Sequence, residues 1–193
     1  MKDKNKKFTK LFHFTTDNSS VGAVCSLSKG NLVLCESSSG HLWFVSFDSK
    51  GINKSKLLPV AEGEFYESSL HVLPSHPRIV VLSLKRCCIE SIVLPSGHKL
   101  WDIDGEVDGH ELDVHGITSK GSNHIFVADG ENKRVLEFDA EGEYKRTVIS
   151  HEDHDVGDVY GVAWDDKNNL LVVLHGEDDQ VMYIEKFKIP FDY

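Results

Sequence analysis

Short apolar runs, each closed by a polar turn, recur along this chain at a fixed interval. Stepping 46 residues from Ile125 reaches Ile79 and Val33 backward and Leu171 forward; the same step from Val135 reaches Ile89, Trp43 and Val181. The first set opens or lies within VLCES, IVVLS, IFVAD and LVVLH, and the second within WFVSF, IESIV, VLEF and VMYI. A fainter row precedes them at spacings of 45 to 47: VGAVCSL, SSLHVL, HGITS and YGVAW. A period of this length marks a repeat architecture. The runs are rich in Val, Ile, Leu and Phe and end in turns such as SKGN, SKGSN and DDKNN, which reads as strands. The best-defined runs are apolar on both faces, as expected of small sheets covered on either side by other sheets. The five prolines lie at turns or at the C-terminal end, clear of the ladders they would interrupt. No window longer than ten residues holds a helical period. The pattern predicts an all-β fold, a single β-propeller domain of about four blades over residues 18–60, 64–106, 112–150 and 157–189.

The stretch HGITSKGSNHIFVADGENKRVLEFDAEG resembles an NHL repeat, the blade type of many tripartite-motif and related proteins. Gly116, Asn123, Val127-Ala128-Asp129, Asn132, Arg134-Val135 and Phe138-Asp139 carry the resemblance. The next unit keeps YGVAWDDKNNLLVV but has Leu174-His175 where Ala-Asp is expected, and the first two keep only spacing and apolar pattern. The resemblance implies a propeller, and NHL propellers usually close with six blades. Two arrangements fit about four blades. In one, the N-terminal run KFTKLFHF, residues 7–14, closes the last blade by pairing with 181–187, which hides an open edge. In the other, the chain is an arc of a larger six-bladed ring. An incomplete ring makes an oligomer an expectation too.

Charge narrows the partners. Lys plus Arg total 21 against 31 Asp plus Glu, a net charge of -10. Some NHL domains bind RNA, but nucleic-acid affinity rests on cations that neutralise phosphates. Here basic clusters are confined to MKDKNKK and to LKR at 84–86, so nucleic acid is disfavoured and RNA binding is a distant alternative. No run of 18 apolar residues exists to span a membrane. The start lacks the apolar core of a signal peptide, and the expected location is cytoplasmic. Cys25, Cys35, Cys87 and Cys88 form no CxxC pair or zinc-finger spacing. They read as small buried hydrophobes, although Lys85 and Arg86 would lower the pKa of an exposed Cys87 or Cys88 thiol.

The acids concentrate on loops that a propeller would place on one rim: residues 108–115, 129–134, 151–158 and 175–179. These loops hold twelve acids and five of the eleven histidines, opposed only by Lys133 and Arg134. The candidate binding set is His110, Glu111, Asp113, His115, Asp129, Asn132, Arg134, His151, Asp153, His154, Asp155, Asp158, His175, Asp178 and Asp179. Asp129, Asn132 and Arg134 also suit a structural turn, and His115 with Tyr160 suits the lining of a central channel. His-Glu-Asp-His at 151–154 places two imidazoles three apart, but it is not a zincin motif and is expected on a loop. No metal or cofactor is expected. The chain is expected to be no enzyme but a scaffold that docks a basic protein or peptide on the acidic, His-rich face. The alternative is a metal-dependent hydrolase or lyase at the channel mouth. Protonation of the rim histidines on acidification would partly neutralise such a face.

Overall fold

The computed structural model describes residues 21–27, 31–36, 41–48, 51–56, 69–73, 78–83, 87–177 and 181–191. The apolar runs form four successive antiparallel sheets, each laid down in chain order. Blade one comprises β1 (Val21–Ser26), β2 (Leu32–Glu36), β3 (Leu42–Asp48) and β4 (Gly51–Lys56). Blade two comprises β5 (Ser69–Leu73), β6 (Arg78–Ser83), β7 (Cys88–Val93) and β8 (His98–Ile103). A ribbon follows, β9 (Glu106–Val107) paired with β10 (His110–Glu111). Blade three holds β11 (Val114–Lys120), β12 (His124–Asp129), β13 (Arg134–Phe138) and β14 (Tyr144–Ser150). After α1 (His151–His154), blade four has three strands among the described residues: β15 (Asp158–Asp165), β16 (Leu170–Glu177) and β17 (Val181–Phe187).

The first strand of each blade packs on the first strand of the next, β1 on β5, β5 on β11 and β11 on β15. This is propeller geometry. Successive side chains on a strand point to opposite faces, so one strand serves two blade interfaces. Val80 packs with Ile125 and Val127 between blades two and three. One residue on, Phe126 and Ala128 pack with Leu171 and Val173 between blades three and four. That double duty is why these strands read apolar on both faces. Val33, Ile79, Ile125 and Leu171 are at most 1% exposed. The 46-residue step nevertheless slips at blade one. Val33 faces blade two while Ile79 faces back toward blade one, so the residue equivalent to Val33 is Val80, at a step of 47. A one-residue slip exchanges the faces of a strand.

His-Glu-Asp-His is one turn of helix rather than loop. Ser150 caps it by accepting the Asp153 N–H, and Asp155 ends it in the left-handed region at φ 56°. The run 7–14 lies outside the described residues, so its pairing with β17 stays an expectation. Beyond β17 the chain returns to blade three: Ile189 is buried, and Arg146 Nη2 donates to the Pro190 carbonyl at 2.7 Å. Among the described residues no helix is long and apolar enough to cross a membrane.

Candidate functional site

The rim of blade three is organised by one buried carboxylate. Asp129 has no exposed surface. Its Oδ1 accepts from the Asp113 N–H at 2.8 Å and from Asn132 Nδ2 at 2.8 Å, and its Oδ2 accepts from Arg134 Nε at 2.7 Å. Arg134 spends Nη2 on the Val107 carbonyl at 2.8 Å, and Asn132 also donates to the Glu111 carbonyl at 2.7 Å. The β12–β13 turn is thereby tied to the ribbon β9–β10. A buried charge persists only when it is paired and hydrogen-bonded. These three side chains build the face and are spent in doing so.

What they hold in place is a cleft of about 530 Å³ between the ribbon, the β12–β13 turn and α1. Asp108, Glu131, Glu152 and Asp153 give it carboxylates, and His110 and His151 give it imidazoles. The ribbon turns through Asp108 at φ 53° and Gly109 at φ 81°, the Asp-Gly signature of a tight hairpin. Tyr144 donates its hydroxyl to Asp108 Oδ2 at 2.9 Å. His151 Nδ1 lies 2.7 Å from the Val156 carbonyl. A carbonyl only accepts, so Nδ1 carries the proton and Nε2 is the atom left for a ligand. Of the two cations on the cleft wall, Arg134 is committed and Lys133 is loosely paired. Arg134 is buried on Asp129, and Lys133 Nζ stands 3.8 Å from Asp158.

A second, smaller group sits at the inner end of the same loops. Asp113 Oδ2 lies 2.9 Å from His115 Nε2 and accepts the Glu131 N–H at 3.0 Å. The His115 ring meets Tyr160 edge-on at 5.9 Å. Glu131 and Asn132 connect this group to the cleft.

Other predicted residues lie elsewhere. His175 is 4% exposed, inside blade four, stacked on Tyr183 at 5.5 Å. Its Nδ1 accepts the Gly157 N–H at 3.2 Å. It therefore stands in blade four where Asp129 stands in blade three, 46 residues earlier, and likewise accepts a backbone N–H from the segment before the first strand. His154 leaves the cleft to pack edge-on against Phe187 at 5.5 Å. Asp155 is the exposed residue that ends α1. Asp178 and Asp179 lie outside the described residues. Among the described residues no three His, Cys, Asp or Glu side chains converge as metal ligands.

Cys87 does not take the activated-thiol alternative. Burial and the nearby Asp113, Glu111, Glu131 and Asp129 push its pKa up from the ordinary 9.0. Cys25 is pushed up to about 11 by burial. Sequence reading also missed the polar ties between first strands: His71 Nε2 to Ser119 Oγ at 2.8 Å, and the Trp164 N–H donating to Thr118 Oγ1 at 3.1 Å. Aligning the first strands about one repeat apart would have exposed both.

No family model matches the chain, and no curated protein matches it. Solved structures do. Virginiamycin B lyase from Staphylococcus aureus superposes with a TM-score of 0.63 at 13% identity, over 93% of this chain and 59% of that one. The Cps50 (Swd1) β-propeller domain of Myceliophteria thermophila gives 0.63 at 13%, over 89% and 54%. An auxiliary nutrient binding protein from Bacteroides thetaiotaomicron gives 0.62 at 10%, over 86% and 48%. The chain spans less than two thirds of the length of each. At these identities the likeness shows the fold, and the fold is that of a β-propeller. It also corrects the expectation that this chain is no enzyme. The lyase is an enzyme on the same fold, so the architecture gives no ground for setting catalysis aside.

Proposed function

We propose that this chain binds a basic segment of a protein or peptide in the acidic cleft of blade three. The observation that carries this reading is that Arg134 is spent on buried Asp129, which leaves Lys133, half-exposed and 3.8 Å from Asp158, as the one cation facing several carboxylates on the cleft wall. The carboxylates of Asp108, Glu131, Glu152 and Asp153 are left to face a cleft of about 530 Å³. A cleft lined by one sign of charge concentrates and steers ligands of the other sign. Lys or Arg side chains suit it by charge, and phosphate backbones do not. The NHL-like turn Asp129-Asn132-Arg134 is the scaffold beneath the cleft in this reading, and four cysteine thiols suit a reducing cytoplasm. The test is calorimetric titration with a Lys/Arg-rich peptide, its Glu-substituted counterpart and a single-stranded RNA. The reading expects binding of the first alone, weakening as salt rises, because exposed charges are screened over about 8 Å at physiological ionic strength. Tight binding of RNA, or equal binding of both peptides, would overturn it.

A second reading rests on a separate observation, the contact of Asp113 with His115 beside Tyr160. A carboxylate that orients an imidazole is the arrangement of a general base, and propeller neighbours include a lyase. Hydrolase or lyase chemistry at the channel mouth follows from it. Turnover of an ester or lactone panel that disappears in His115→Ala would support this reading. The same turnover in both proteins would remove it.

A further inference from the structure

His175 is the one buried histidine among the described residues, and its two nitrogens have unequal surroundings. Nδ1 accepts the Gly157 N–H at 3.2 Å in a buried contact. A backbone N–H only donates, so Nδ1 holds a lone pair and Nε2 carries the hydrogen. Nε2 is buried with no hydrogen-bond partner among the described residues. Glu185 on β17 stands 3.8 Å from it, its side chain half-exposed. An imidazolium has hydrogens on both nitrogens and accepts nothing. Protonation of His175 therefore breaks the bond to Gly157 and sets two buried donors against each other.

The loss falls on the segment that holds one wall of the cleft. Gly157 is buried and follows Val156, which has no exposed surface and whose carbonyl accepts from His151 Nδ1 at 2.7 Å. A Cβ at Gly157 would collide with the Gly176 carbonyl, so this link lies tight against β16. It leads out of α1, which brings Glu152 and Asp153 to the cleft. α1 buries no residue of its own. It is held from its flanks: by the His151 N–H on the Lys133 carbonyl at 3.0 Å, by the His154 ring on Phe187 and by the Val156-Gly157 link.

Histidine is the side chain that changes charge between about pH 8 and about pH 5. The histidines of α1 respond to that change differently from His175. His151 Nδ1 already donates, so a proton added at Nε2 leaves its bond to Val156 intact. His154 Nδ1 accepts the Ser150 N–H only at 3.5 Å and in an exposed place. Of the ionisable groups on the elements packed around His175, Glu185 favours a charged ring and Tyr183 stacks on it. Glu177 and Asp155 are exposed, Asp158 pairs loosely with Lys133, and Asp129 of blade three is spent on Arg134. Exposed carboxylates stabilise a nearby charge weakly, whereas a buried donor left unmatched carries its full desolvation penalty.

We infer that His175 is a proton-sensitive anchor of α1. Neutral, it holds Gly157 and with it the wall that carries Glu152 and Asp153; protonated, it lets go and loosens that wall. The consequence, release of a basic segment on acidification, rests on the proposed binding in the cleft.

The experiment is amide hydrogen exchange of the full chain, read by mass spectrometry over residues 151–158 and corrected for intrinsic rates, at about pH 8 and about pH 5. His175→Asn keeps an acceptor in place of Nδ1 that takes up no proton, and His175→Gln moves the acceptor away from Gly157. Circular dichroism checks that each variant folds. In wild type, protection of this segment should fall about tenfold on acidification, the scale of one buried hydrogen bond, while β13 keeps its own. His175→Asn should keep protection at both pH values, and His175→Gln should lack it at both. Unchanged wild-type protection, a fall shared equally by β13, or an equal fall in His175→Asn would overturn the inference. Titration with a Lys/Arg-rich peptide runs in parallel, and its affinity should drop further on acidification in wild type than in His175→Asn. Absence of binding at about pH 8 would remove the cleft reading, and the exchange result would still decide the anchor.

Discussion

At the residue scale, the Asp129–Arg134 pair is nearly free of solvent, with side-chain exposures of 0% and 7%. Removing one partner of a buried pair strands the other charge and typically costs about 3–5 kcal/mol. Arg134→Met should lower unfolding free energy by about that much in urea titration. A loss below about 1 kcal/mol would mean the pair does not hold the rim. Asp139 makes a pH-dependent counterpart. Burial works to raise its pKa, but Lys145 and the N–H groups of Glu143 and Glu141 outweigh that and hold it below the ordinary 3.8. A carboxyl depressed on folding adds stability above its unfolded value, lost as pH falls through its folded one. Asp139→Asn should destabilise at neutral pH and converge with wild type below pH 3.8. A gap of constant size down the acid limb would refute that linkage. Cys87 reports its burial together with the rim's field. Its alkylation should be slower at neutral pH than that of a model thiol and should quicken when Glu111 and Glu131 are replaced by Gln.

At the element scale, the fold rests on strands that serve two interfaces. Phe126 has no exposed surface, stacks on Trp164 at 5.6 Å and joins the blade three–four core. Phe126→Ala should cost about 3–5 kcal/mol, read as a lower Tm, and should loosen blade four. Trp164 fluorescence unchanged in position through the transition would count against that coupling. These strands were legible because Ile79, Ile125 and Leu171 fall 46 apart, and a covered strand must be apolar on both sides. The slip at Val33 was not, since one residue in a turn changes the face without changing the composition. Histidine placement was also beyond sequence. His175 and His110 both sit at loop edges in the chain. One accepts a backbone N–H inside blade four while the other lines the cleft, and only cross-strand register separates them. The helical turn at 151–154 escaped because a single capped turn has no period to read.

At the scale of the whole molecule, a net charge of -10 is not spread evenly. Blade three and α1 gather Asp108, Glu131, Glu152 and Asp153 around one cleft while Arg134 is buried on Asp129 and Lys133 pairs loosely with Asp158. The sequence announced the acidic rim, but it did not show which acids are spent. Asp129 builds the turn and Asp113 holds His115 and the Glu131 N–H, whereas the four cleft carboxylates face the opening, Asp108 and Asp153 each accepting one internal hydroxyl, from Tyr144 and Ser150. The measurement that tests this most directly compares wild type with the combined Asp108→Asn, Glu131→Gln, Glu152→Gln, Asp153→Asn variant. Affinity for a Lys/Arg-rich peptide is determined at low and physiological salt, with urea titrations confirming equal stability. Rim charges typically contribute a few tenths to about 1 kcal/mol each. The fourfold variant should therefore bind at least tenfold more weakly at low salt and lose most of its salt dependence. Equal affinity and an equal salt slope in the two proteins would contradict the account.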